Sequence, residues 1–168
     1  MKRSLASAVL CLASPATSFV FQIPPLTAHH RRDRSILAAM SQKEVVSKDA
    51  PAPVGPYSQA VLTGNTLYCS GQVALDPATG AMVGGGDVVA EARQIIKNMD
   101  AVLVAAGAGA ANVVRTTVFL ADLADFAAVN EVYAEYFDGP VSPARACVQV
   151  AALPKGAKVE IDCIAWLG

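Results

Sequence analysis

Residues 41–168 contain no histidine; both histidines of the chain, His29 and His30, fall in the first 40 residues. That absence excludes a Ser-His or Cys-His dyad, and any histidine-ligated metal, from the larger part of the chain. Cysteine is also scarce. Cys11, Cys69, Cys147 and Cys163 are never at C-x-x-C spacing, so neither a disulfide framework nor a zinc site is expected. No apolar run is long enough to span a bilayer. Positive charge is short as well: residues 41–168 hold eight basic residues against thirteen acidic ones, a net of −5. Such a body is a poor match for a phosphate backbone, so no nucleic-acid partner is expected. What the chain does have is apolar material. With 54% hydrophobic and 16% charged residues, it can pack a core and is not a disordered chain.

The first 40 residues are different in kind. Lys2, Arg3, Arg31, Arg32 and Arg34 face the single acid Asp33, a net of +4. A basic start is followed by the apolar stretch Leu5–Leu12, then by small residues from Ala13 to Ser18. That is signal-peptide grammar. Residues 22–39, with two prolines and three arginines, read as a transit peptide. Signal plus transit resembles a bipartite plastid presequence; a mitochondrial presequence and an untargeted tail are the alternatives. Met40 is a candidate internal start that would give a cytosolic form. The expected organisation is therefore a presequence over 1–40 and one domain over 41–168.

Periodicity lays out that domain. Val45–Ser47 reads as a short first strand. Residues 49–56 carry three prolines and read as a fixed entry loop. Tyr57–Leu62 and Thr66–Leu75 read as strands around the hairpin signal Gly64-Asn65. Val88–Ala106 has apolar residues at three- and four-residue steps, an N-cap in Asp87 and a stop in Gly107, and reads as a helix. Val113–Leu120 reads as a strand and Asp122–Phe137 as a second helix. Arg145–Ala151 and Val159–Trp166 read as two more strands, joined through Leu153–Gly156. The order is ββαβαββ, an α+β fold with a short extra strand in front. Two helices cover one face of such a sheet, and a homo-oligomer is the economical cover for the other.

Arg145 is the most informative residue. It opens a strand of small and apolar residues, where a guanidinium requires an anionic partner. That partner is either a structural acid such as Glu160 or the carboxylate of a ligand held bidentately. Alternation places Glu160 and Asp162 together on one strand face. Were Leu153–Lys158 a hairpin loop, Arg145 and Glu160 would share a sheet face several residues apart. Cys147 lies on the face of Arg145; without a histidine or lysine partner it reads as a small strand hydrophobe. Tyr57, Ser70, Gly71 and Asn130 are weaker candidates, each with an ordinary structural role open to it. Gly84-Gly85-Gly86-Asp87 precedes a helix but lacks a P-loop's Gly-Lys-Ser/Thr, and reads as a loop.

The run from Pro143 to Ile161, PARACVQVAALPKGAKVEI, resembles the C-terminal signature of the Rid family, also called the YjgF or UK114 family. Gly55–Ala60, Ser70-Gly71-Gln72, Thr116–Leu120 and Phe126–Asn130 match in order, so the resemblance covers nearly all of residues 44–166. It implies a chorismate-mutase-like fold, a homotrimer and sites at subunit interfaces. It also implies hydrolysis of 2-iminobutanoate and 2-iminopropanoate to 2-oxo acids and ammonia, with no cofactor, protecting pyridoxal-phosphate enzymes. By position Arg145 would bind the carboxylate and Glu160 would orient the attacking water. Tyr57, Ser70, Gly71, Asn130 and the backbone of Cys147 would line the site. Two departures stand out: Ser142 where many members have Phe, and Asp162 where Glu is common. Two other functions fit the same family. One is an endoribonuclease or translation inhibitor; the other is a non-catalytic ligand-binding or chaperone-like protein.

Overall fold

The computed structural model describes residues 41–168. The presequence reading, both histidines and Met40 lie outside the described residues. The elements are β1 (Gln42–Val45), β2 (Ala60–Thr63), β3 (Thr66–Gln72), α1 (Val88–Ala105), β4 (Val113–Leu120), α2 (Phe126–Tyr136), β5 (Ala144–Gln149) and β6 (Val159–Trp166). They form one mixed sheet in the order β1-β2-β3-β6-β4-β5.

Both helices lie on one sheet face. Ile95, Met99, Val102 and Leu103 of α1 and Val129 and Val132 of α2 are buried with Leu67, Val118, Val159, Ile161 and Cys163 of the sheet. Alternation sends the intervening residues to the opposite face. There Tyr68 and Trp166 are about half exposed and Val148 is exposed, leaving large apolar side chains without cover within the chain.

The β5–β6 hairpin that would have put Arg145 and Glu160 on one sheet face does not form. β4 lies between them, parallel to β5 and antiparallel to β6. A strand, a helix and a next strand favour a parallel crossover, and β4–α2–β5 takes it; β6 then fills the slot between β3 and β4. Several boundaries also move. The first strand is Gln42–Val45 rather than Val45–Ser47. β2 begins at Ala60 rather than Tyr57, because Tyr57 N–H closes a tight turn on Gly55 O and Ser58 O accepts from Ser70 Oγ. β3 stops at Gln72, and Leu75 instead bridges Met82 around the Asp76–Gly80 turn. A single helical turn at Leu123–Asp125, capped by Asp122, precedes α2. Asp87 Oδ1 accepts from Val89 and Ala90 N–H. The carboxylate therefore already occupies the helix terminus after the triple glycine, which makes that segment a cap and not an anion site.

Two buried polar side chains fix the loops that matter for the site. Gln59, 3% exposed, accepts from Ser47 N–H at 2.6 Å and donates to the carbonyls of Ser47, Ala50 and Pro51 at 3.1, 3.3 and 2.7 Å. It ties the proline loop to the sheet. Glu91, 2% exposed, accepts from Lys158 N–H at 2.7 Å and fixes the entry into β6. Replacing Gln59 by Leu strands one buried N–H and three carbonyls, and is expected to cost about 3 kcal/mol. Urea unfolding of the two proteins measures this, and a loss below about 1 kcal/mol would show that water replaces the amide there.

Candidate functional site

The site residues expected from sequence, Cys147 apart, fall into two clusters in one chain. The first is a cavity of about 340 Å³ whose lining includes Tyr57, Ser70, Gly71, Lys155 and Glu160. The proline loop forms one wall, with Pro51, Pro53 and Val54, held in place by Gln59. The second is a cleft of about 460 Å³ beside α2, lined by Asn130, Tyr133, Phe137, Ser142, Pro143 and Arg145.

Glu160 reaches the first cavity because of a β-bulge. Between Cys69 and Gln72, β3 spends three steps against two on β6, so Ser70-Gly71 is the irregular pair and its groups are re-aimed. Ser70 Oγ donates to Ser58 O at 2.6 Å, and Ser70 N–H donates to Gln59 O at 3.0 Å. Gly71 gives Glu160 its room: a Cβ there would collide with Glu160 Oε1 and lie 3.0 Å from its Cδ. Burial, and then the like charge of Asp162, push the Glu160 carboxyl above its usual range. Asp162 Oδ1 itself accepts from Thr117 N–H at 2.9 Å. Tyr57 is exposed at the rim, where its phenol accepts from Val54 N–H at 3.2 Å.

Arg145 is built from the other side. Its guanidinium carbon lies 4.6 Å from the Tyr133 ring centre and 5.5 Å from that of Phe126, a cation stacked on two aromatic faces of α2. Tyr133 is buried and shares a 2.8 Å hydrogen bond with Thr116 Oγ1. Burial outweighs that bond and the charge of Arg145, raising the Tyr133 phenol, so the ring stays neutral beneath the cation. Among the described residues Arg145 has no acid within ion-pair distance; the one salt bridge is Arg93–Glu135, on the outer helix surface. The structural pairing with Glu160 does not form. Nor do the two share a sheet face. Arg145 is opposite Thr116, and Glu160 opposite Phe119. The three-residue offset along β4 is odd, so Arg145 lies on the helix face and Glu160 on the open face. Cys147, opposite Val118, is on the side of Arg145. Burial raises its thiol against the opposing effect of Arg145, which keeps it protonated and unsuited to attack.

Sequence reasoning passed over Gln59, Glu91 and the Thr116–Tyr133 pair. In the sequence Tyr133 is one residue within the Asp122–Phe137 helix, and Thr116 one within the Val113–Leu120 strand and its family motif. Their signal is a polar group at a position whose period points inward, where a partner is obligatory.

A single mixed sheet with two helices on one face, an aromatic-backed arginine cleft and a separate carboxylate cavity define a class of small α+β proteins. The family model described as Endoribonuclease L-PSP matches residues 47–167, and the chain belongs to that family, the YjgF/Rid family. It is 53% identical over 132 residues to the mouse protein named 2-iminobutanoate/2-iminopropanoate deaminase, covering 79% of this chain and 96% of the mouse protein. It is 52% identical over 134 residues to Reactive Intermediate Deaminase A, chloroplastic, from Arabidopsis thaliana, covering 79% of this chain and 71% of that one. Among solved structures, Escherichia coli TdcF with bound serine aligns with a TM-score of 0.71 at 42% identity, over 75% of this chain and 99% of that one.

The raised Glu160 carboxyl has a consequence for stability. Folding favours its protonated form. The stability this brings is fully present below the ordinary value of 4.5 and is lost as pH rises through the higher folded value. Glu160→Gln should therefore raise Tm at pH 7, with the gain shrinking to nothing near pH 4; an equal gain at both pH values would mean that burial and Asp162 are not its source. Gly71→Ala should lower Tm, and Glu160→Ala in the same chain should restore most of the loss, because the clash then has no partner.

Proposed function

We propose that this protein is a hydrolytic deaminase of reactive 2-imino acids, 2-iminobutanoate and 2-iminopropanoate among them, releasing 2-oxo acids and ammonia. The observation that carries this is an arginine stacked on two rings with no acid partner among the described residues. Its five N–H donors match a carboxylate. Glu160, a half-buried carboxyl pushed toward higher pKa, is the matching base. The mouse relative's name gives the same imine substrates and the Arabidopsis relative's name a reactive-intermediate deaminase, which support this reading.

In this reading Arg145 binds the substrate carboxylate and Asn130 flanks it. A water held by Glu160 attacks C2 of the iminium and its proton passes to Glu160. That proton then returns to nitrogen; Glu160 takes the remaining hydroxyl proton as the C–N bond breaks and C=O forms, and passes it to the departing ammonia, so the products are the 2-oxo acid and ammonium. A protonated imine is electrophilic enough that positioning and one base suffice. Tyr57, Ser70, Gly71 and the Cys147 backbone line the reacting end. The residues themselves need no cofactor.

Because Arg145 and Glu160 point to opposite faces of one sheet, a substrate touching both takes them from two copies. We read the uncovered sheet face as the homotrimer interface that brings them together. Residues 41–168 would be the catalytic domain, and residues 1–40 a presequence directing it to an organelle, a plastid before a mitochondrion. Removing leaked imines would protect pyridoxal-phosphate enzymes. A ribonuclease, as the family model's description reads, fits less well with a −5 body lacking histidine.

The test couples the purified protein to threonine dehydratase and traps the imine with semicarbazide. Wild type should prevent trapping, and Arg145→Ala and Glu160→Gln should each lose at least about 100-fold in rate. No protection by the folded wild type would leave a ligand-binding protein instead. Mixing the two variants, after dissociation and reassembly, should restore activity that neither has alone. Failure to recover would place both groups of each site in one chain.

A further inference from the structure

Lys155 is the one cation among the residues lining the Glu160 cavity, and Glu160 the one anion. They are not an ion pair, and the Glu160 carboxyl is shifted by burial and Asp162, not by Lys155. The ammonium is therefore unspent. Its backbone is unusual too. Lys155, at φ 56° and ψ 18°, is the one non-glycine with positive φ among the described residues. A side chain in that region is unfavourable, and such positions cluster where a ligand needs them. The turn is pinned on both sides of it: Gly156 N–H donates to Leu153 O at 3.2 Å, Ala157 N–H to Pro154 O at 3.1 Å, and Ala157 is buried. Lys155 Nζ makes one long hydrogen bond, to Gly80 O at 3.4 Å, and no salt bridge among the described residues, which leaves it donors to spare. The remaining lining is mostly apolar, with Pro51, Pro53, Val54, Val73 and Leu75.

We propose that Lys155 docks a second carboxylate at the far end of the substrate, so that the site also takes 2-imino dicarboxylates such as the imines of glutamate and aspartate. A ligand held by its 2-imino carboxylate at Arg145, with its reacting carbon at Glu160, sends its side chain into this cavity. A terminal carboxylate there would otherwise face Glu160 with no counter-charge, and Lys155 supplies it. The imine chemistry rests on the deaminase reading; the preference for a second carboxylate does not.

Binding of the stable 2-oxo acids separates the two. The full chain, Lys155→Met and Lys155→Arg are titrated calorimetrically with 2-oxobutanoate and 2-oxoglutarate. Lys155→Met should weaken 2-oxoglutarate about tenfold and leave 2-oxobutanoate unchanged, while Lys155→Arg keeps both within about threefold. In turnover of the glutamate imine made by an amino-acid oxidase, Lys155→Met should raise KM about tenfold with kcat unchanged. Equal loss for both oxo acids, or loss for neither, overturns the proposal; a lower Tm with unchanged affinities would make Lys155 a tie to the Gly80 loop. A wild type that prefers 2-oxoglutarate through Lys155 but hydrolyses no imine would overturn the deaminase reading and leave this one standing.

Discussion

β4 is hydrogen-bonded on both sides, antiparallel to β6 and parallel to β5, and the geometry of the candidate site depends on that double pairing. It carries Thr116 between Cys163 and Arg145, and Phe119 between Glu160 and Val148. The first row faces the helices and the second faces away. Thr116 Oγ1 meets Tyr133, and Tyr133 supports Arg145. One buried hydroxyl pair thus sets the height of the ring on which the cation rests. On the other side of the sheet, the bulge at Ser70-Gly71 opens the space that Glu160 enters. The cation is placed by helix packing, and the carboxylate by a strand irregularity and a missing Cβ.

Much of this was legible in the sequence, and the physical reasons separate what was from what was not. β4 and β6 were read with their observed limits and α1 to within a residue. Each has a strong period and a clear stop, Gly107 after α1 being one. Tyr57, Ser70, Gly71 and Glu160 could be named, and the structure gathers them around one cavity. Arg145 and Asn130 share the other. The relation between the clusters was not legible. The sequence leaves open whether the chain neighbours β5 and β6 pair, because pairing is decided by non-local packing; β4 intervenes. Since parity decides the face, that intervening strand is what separates Arg145 from Glu160. Gln59 stands out in the sequence only as one residue of the Gly55–Ala60 motif, because nothing local shows that its amide closes on Ser47, Ala50 and Pro51.

The two faces impose different demands on their residues. Over most of the helix face the chain covers itself and polar groups are matched internally, as Thr116 with Tyr133 and Asn98 with Leu75 O; Arg145, at its exposed edge, is the exception. The open face leaves Tyr68, Val148 and Trp166 exposed beside Glu160 and Asp162. Apolar area next to half-buried acids is a surface that water covers poorly and that a second copy can cover well. Covering it would dry Glu160 further and raise its basicity in the same step, because desolvation is already the leading cause of its shift. Assembly and activation of the base would then be one event.

The separation of Arg145 from Glu160 also protects the chemistry in the proposed site. An arginine and a glutamate within reach of each other form a charge-assisted pair. Such a pair would neutralise the clamp and depress the base, and substrate would have to break it. Placing the two on opposite faces of one sheet makes the pair unreachable within a chain. A one-residue slip of β5 against β4 would turn Arg145 to the open face. It would remove the guanidinium from Tyr133 and Phe126 and bring it to the side of Glu160 and Asp162. Register therefore fixes more than packing here: it keeps the two charges apart within each chain, so that in the proposed site they meet only across two copies.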